Sequence, residues 1–186
     1  QAAINNANLG DTVTIAPGTY TENVVINKSI TLKGTNPNTT IIKAADNGKA
    51  TIEIKINNAN LSGFTIQGGL AGISISNHNA TVISNSIVTS NTNQGIYLHL
   101  SHNNVIANNT ISMNKFEGIF LENSTDNVIS HNDITRNTYL GVDFQYSSQN
   151  QLRNNTISFH DNVTLHDQGI WMESSANNTI EGNTIA

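Results

Sequence analysis

Gly95-Ile96-Tyr97-Leu98-His99, Gly118-Ile119-Phe120-Leu121-Glu122 and Gly141-Val142-Asp143-Phe144-Gln145 are one pattern repeated at intervals of 23 residues. The same Gly-aliphatic start stands 23 residues upstream at Gly72-Ile73 and recurs at Gly169-Ile170. A unit this short cannot bury its own apolar residues, so units must stack. A repeat in the twenties rich in β-branched residues and Asn therefore predicts a solenoid of parallel strands. Alternation along each strand sends Ile73, Ile96, Ile119, Val142 and Ile170 inward, with Ile75, Leu98, Leu121, Phe144 and Met172 in a second inward column.

A second signature falls into line once the glycines are aligned: Asn85-Ser86-Ile87, Asn109-Thr110-Ile111, Asn132-Asp133-Ile134, Asn155-Thr156-Ile157 and Asn183-Thr184-Ile185. Each coil thus holds a Gly-led strand, a second strand such as Val105-Ile106 or Val128-Ile129, an Asn corner and a short third strand. Three strands per coil predict an all-β, three-sided parallel β-helix. The chain reads as one domain over 1–186, with irregular first coils over 1–60 and regular coils of about 23 residues over 61–186. In the irregular part, strands are expected around Val13 to Ile15, Val24 to Ile26, Ile30 to Leu32, Thr40 to Ile42 and Thr51 to Ile56, after a short capping helix within Gln1 to Asn8.

Composition agrees with this architecture and narrows the function. There are 32 Asn but only 8 Lys plus Arg in 186 residues, and Asn suits tight corners because it tolerates left-handed backbone angles. A net charge of -5 without a basic stripe argues against a nucleic-acid partner and against unassisted binding of a polyanion. No Cys is present, so there are no disulfides, thiolate metal sites or Cys nucleophile. No apolar run approaches the roughly 18 residues of a membrane span. No signal peptide is visible, and the start at Gln1 reads as processed or trimmed.

The stretch GDTVTIAPGTYTENVVINKSITLKG, Gly10 to Gly34, resembles the opening coils of right-handed β-helix proteins of the carbohydrate-binding and sugar-hydrolase type. That group includes copper-associated periplasmic β-helix proteins and many archaeal surface proteins, within the pectate-lyase-like superfamily. The later Asn-Asn-Thr-Ile repeats are similar to the same group, so the resemblance covers nearly the whole chain. It implies fold strongly and activity weakly, because the group contains lyases, hydrolases, epimerases and non-enzymatic surface proteins.

The outward positions of the Gly-led strands carry the candidate site. Two residues after each Gly stand Ser74, Tyr97, Phe120, Asp143 and Trp171, and four after stand Ser76, His99, Glu122, Gln145 and Glu173. Tyr97, Phe120 and Trp171 with His99 and Glu173 form an aromatic strip with a polar border, the arrangement that places rings under apolar sugar faces and polar groups on hydroxyls. The competing reading is that these rings only favour strands by cross-strand stacking. The best catalytic pair is Glu122 and Asp143 on adjacent coils. On an open face, water would hold both carboxyls near ordinary pKa values, and the Asp-Arg, Asp-Asp and Asp-Pro-His-Glu constellations of the group's enzymes are missing. Little or no glycan cleavage is therefore expected.

The connection from Ile157 to Gly169 is longer than the others, and its His160-Asp161 and His166-Asp167 pairs are weak metal-ligand candidates beside Trp171. No cofactor is expected, and Ca²⁺ has no specific support. The six His, among them His78, His99, His102 and His131, share no column, which speaks against the copper the resemblance implies. Nine Asn-X-Ser/Thr sequons suit a glycosylated surface protein. The chain ends at Ile185-Ala186 without a closing coil, which reads as a cut end or as an edge for end-to-end self-association. The first expectation is an extracellular, cell-surface or periplasmic structural or adhesive module whose partner is a polysaccharide or cell-surface glycan. A polysaccharide-active enzyme (lyase, hydrolase or epimerase) is second, and an accessory protein in metal handling is third.

Overall fold

The computed structural model describes residues 1–160 and 168–186. Its strands form three parallel sheets of eight, eight and seven strands that wind as a right-handed β-solenoid. The helix Ala2–Asn6 lies at the first coil, with Ile4 buried. The Gly-led sheet runs from Val24–Ile26 through Ile73–Ser76, Ile96–His99 and Ile119–Glu122 to Leu140–Gln145 and Gln168–Glu173. Its register stacks Ile73, Ile96, Ile119, Val142 and Ile170 in one inward column. Ile73, Ile96, Ile119 and Val142 are fully buried, and with Leu98, Leu121, Ile106 and Ile111 they belong to one continuous core.

Each regular coil turns by one device, in which a residue with left-handed φ is followed by a buried polar residue. Asn108, His131 and Asn154, at φ 57°, 56° and 54°, precede buried Asn109, Asn132 and Asn155. Met113 and Arg136, at φ 56° and 54°, precede buried Asn114 and Asn137. The second residue of each pair forms a ladder. Asn109 donates from its backbone N–H (2.9 Å) and its Nδ2 (3.1 Å) to Asn132 Oδ1, and Nδ2 also donates to Ile83 O at 3.0 Å. Asn132 repeats this toward Asn155 Oδ1 and Ile106 O. Parallel ladders run through Asn104, Asn127, Asn150 and Asn178, through Asn91, Asn114 and Asn137, and through Ser101, Ser124, Ser147 and Ser175. The excess of Asn is thus only partly a matter of left-handed corners. His, Met and Arg also fill those exposed slots, while the ladders need an acceptor and two donors on one short side chain.

The ladders also explain the glycines. A Cβ on Gly118 would stand 2.7 Å from Asn137 Nδ2, 2.7 Å from Gly141 O and 2.6 Å from Ile134 Cγ2, and Gly95 meets the same trio one coil earlier. These glycines are required by close approach rather than by backbone angle.

Three expectations are corrected. Ser86, not Asn85, is the rung that leads to Asn109, and Val88, not Ile87, pairs with Ile111, so the first regular coil is shifted by one residue. A strand at Gly18–Thr21 went unpredicted because its largely exposed pattern carries no alternating apolar signal. Met172 keeps its inward parity opposite Phe144 but is 44% exposed, on the end strand of its sheet.

Truncating Ile119 to Ala in a central coil is expected to cost ~2 to 5 kcal/mol, as for other large-to-small core changes. Asn132→Ala strips an acceptor from two N–H groups of Asn109 and a donor from Ile106 O, and is expected to cost about 3 kcal/mol from unpaired buried groups. Denaturant midpoints measure both. An Asn132→Ala midpoint equal to wild type would show that the ladder contributes nothing net.

Candidate functional site

The outward column of the Gly-led sheet is the floor of a groove parallel to the solenoid axis. Register places Tyr97 beside Phe120, Phe120 beside Asp143 and Asp143 beside Trp171. The rings of Tyr97 and Phe120 stack at 5.3 Å between centroids and 18° between planes, and His99 stacks on Tyr97 at 6.2 Å. One wall is built by the connections that precede each Gly. There Phe116 and Tyr139, one coil apart, stack at 4.6 Å. Two clefts open along this face: an upstream one of about 460 Å³ over Ser74, Tyr97 and Phe120 with Lys49 at its edge, and a downstream one of about 280 Å³ around Asp143.

Asp143 does not stand on an open face. It is 1% exposed and Glu117, on the wall, is 3% exposed, and both line the downstream cleft with Phe116, Tyr139, Gln145, Trp171 and Glu173. The wall residues Phe116, Tyr139 and Leu140 line the same cleft around Asp143. Burial pushes Glu117 up to about 7, against hydrogen bonds from its own backbone and Gln94, with the charge of Asp143 adding to the rise. Burial pushes Asp143 up to about 6, opposed by the hydrogen bond from Gln145 and reinforced by the charge of Glu173. Gln145 Nε2 donates to Asp143 Oδ2 at 3.0 Å, while Asp143 Oδ1 and Glu117 Oε2 are buried without a hydrogen-bond partner.

Glu117 therefore joins the site although sequence reasoning passed over it. Lying just before Gly118, it read as part of a connection. Its place in a column with Gln94 and Leu140, at the same interval of 23 residues, was the available signal. Glu122, expected to partner Asp143, is instead held by the Tyr97 hydroxyl, which donates to Glu122 Oε2. Burial, followed by that hydrogen bond, raises the Tyr97 pKa. Trp171 and Glu173 are exposed at the downstream end.

His160 is a ladder residue rather than part of a projecting loop. It occupies the position after Asn137 in its ladder, is 7% exposed and places Nδ1 3.3 Å from Asn137 O. Burial lowers its pKa, against hydrogen bonds to the backbone at Asn137 and Ile134. Asp161, His166 and Asp167 lie outside the described residues.

The sequence matches the family described as periplasmic copper-binding protein (NosD) over residues 4–186. The chain belongs to that family. A cell surface glycoprotein of Methanothermus fervidus is 42% identical over 79 residues, which is 42% of this chain and 13% of that protein. A double mutant of the periplasmic alginate epimerase AlgG shares the fold, at TM-score 0.73 and 15% identity over 95% of this chain and 46% of that one. An alginate lyase from Paenibacillus sp. str. FPU-7 superposes at TM-score 0.56 and 13% identity, covering 99% of this chain and 95% of that one. The chain thus spans only a small part of the glycoprotein and about half of the epimerase.

Copper enters through the family's description, and the described residues do not fit it. No three His, Cys, Asp or Glu among them gather as a metal site. The chain has no Cys, and Met113 and Met172 are exposed on separate coils.

The raised carboxyls fix a direction for stability against pH. Each folded-state pKa lies above the ordinary value, 4.5 for Glu117 and 3.8 for Asp143, so folding takes up protons between the two values. Their favourable contribution is complete below about pH 4 and is lost as pH rises to about 7. Glu117→Gln combined with Asp143→Asn is expected to flatten the fall in melting temperature between pH 5 and pH 7.5 and to raise it at pH 7.5. An unchanged slope would contradict the burial of the pair.

Proposed function

Starting from its place in the NosD family, we propose that this chain is an extracytoplasmic β-helix module, at the cell surface or in the periplasm, that binds glycan along the groove of its Gly-led sheet. The observation that carries this reading is the groove itself. Tyr97 on Phe120 and Phe116 on Tyr139 present two stacked ring pairs along the face, with hydrogen-bonding carboxyls between them. That is the mixture a sugar needs, with rings for its C–H faces and acceptors for its hydroxyls. The cell surface glycoprotein of Methanothermus fervidus supports a surface location, and the alginate enzymes with the same fold support a carbohydrate ligand only as analogy.

One observation favours a second reading, a polysaccharide-active enzyme. Glu117 and Asp143 are two carboxyls in one cleft with pKa values raised to about 7 and about 6, and such pairs divide acid and base roles in glycoside hydrolysis. Release of new reducing ends from the glycans that bind, abolished by Asp143→Asn, would promote this reading over simple binding.

A glycan array followed by titration calorimetry tests the first reading. Trp171→Ala and Phe116→Ala are each expected to weaken binding about 3- to 10-fold, in line with the worth of an aromatic contact beyond its area. Melting temperatures near wild type serve as the control. Undiminished binding by both variants would remove the groove from recognition.

A further inference from the structure

We propose that the downstream cleft is a subsite for a single uncharged sugar residue, held through its hydroxyls by Glu117 Oε2 and Asp143 Oδ1, and that it rejects uronates. This inference rests on the glycan reading and specifies which sugar the groove takes at one position.

Three observations converge on it. The first is the state of the two oxygens. Both residues are more than nine-tenths buried, at 3% and 1% exposure, yet Glu117 Oε2 and Asp143 Oδ1 have no hydrogen-bond partner. Buried polar atoms in folded proteins are nearly always satisfied, so an unpartnered pair on residues that line this cleft calls for a partner from outside the chain. Asp143 Oδ2 accepts from Gln145 at 3.0 Å. An unpartnered carboxyl oxygen accepts when ionised and can donate when protonated, which the raised values of about 7 and about 6 allow, and a sugar hydroxyl meets either form.

The second observation is charge. Glu117, Asp143 and Glu173 line the cleft, and no Lys or Arg is among the described residues that do. Above about pH 7, where Glu117 and Asp143 are ionised, a uronate would bring a further carboxylate beside them with no cation to meet it, in a place where water is largely excluded. Lys49 lies at the edge of the upstream cleft only, so the exclusion is local to the downstream position. The third is size and shape. About 280 Å³ is at the small end for ligand pockets, which suits one ring rather than a chain, and the stacked faces of Phe116 and Tyr139 supply a flat apolar flank.

The test compares neutral gluco-, galacto- and manno-oligosaccharides with the corresponding uronate oligosaccharides by titration calorimetry on the whole chain at about pH 8, above the values of about 7 and about 6 for the two carboxyls. Neutral oligosaccharides are expected to bind at least about 10-fold tighter than their uronate counterparts. Asp143→Asn and Glu117→Gln are expected to weaken the neutral ligands about 10-fold and to narrow the gap to the uronates, because each replaces one carboxyl oxygen with an NH2 donor and removes the negative charge that strengthens the hydrogen bonds. Both changes relieve a buried carboxyl, so melting temperatures at or above wild type exclude unfolding as the cause. Equal or tighter binding of uronates overturns the charge exclusion. Neutral binding unaffected by both variants overturns the placement at this cleft while leaving the groove standing, and binding of no saccharide at all defeats the groove reading as well.

Discussion

Every coil of this solenoid must satisfy the polar groups it turns inward at its corners, and it does so by lending them to the next coil. One Asn Oδ1 accepts both a backbone and a side-chain N–H from the coil before it, while its own Nδ2 reaches back to a carbonyl in the core. Because these groups are buried, the pairing is worth most as an avoided penalty. The same requirement fixes where each rung must stand, 23 residues on in the regular coils and 28 residues on from Asn150 to Asn178. It also dictates the glycines, whose missing Cβ leaves the space occupied by Asn91, Asn114 and Asn137.

That interdependence explains what was legible in the sequence. The Gly period, the inward Ile and Val columns and the outward Tyr97–Phe120–Asp143–Trp171 order could all be read, because strand parity and coil length are written directly in residue spacing. The rungs at Asn91, Asn114 and Asn137 were not recognised, because a polar residue before a connection looks like any solvated turn. The shift of Ser86 and Val88 was hidden for a related reason. Ile87 is apolar but points half outward, and Val88 beside it takes the core position, so hydrophobicity alone could not choose between neighbours.

The site was half legible for a different reason. Parity correctly placed Asp143 outward but said nothing of how much water reaches that position. Exposure there depends on the height of the wall, which is made of residues just before the glycines that periodicity treats as spacers. Glu117 is one of these. A solenoid reading therefore finds the floor of a groove from strand alternation and finds its wall only when the connections are also aligned coil by coil.

The scaffold is also what allows an unfavourable pair of acids to persist. Glu117 and Asp143 give up hydration in the fold, which shows as two raised pKa values, and a marginal loop would relax to let water in. Here the wall cannot move far, because the residues on either side of it are tied down. Asn114 is bonded into its ladder before Glu117, and Gly118 after it is packed against Asn137 and Gly141. Rungs that satisfy the core thus hold the wall over the groove, and the cost of burying the acids is spread over coils that have no part in recognition. A change that loosened the ladder beneath the wall would admit water to the cleft before it unfolded the solenoid, and so would release the two carboxyls toward ordinary behaviour while the core remained intact.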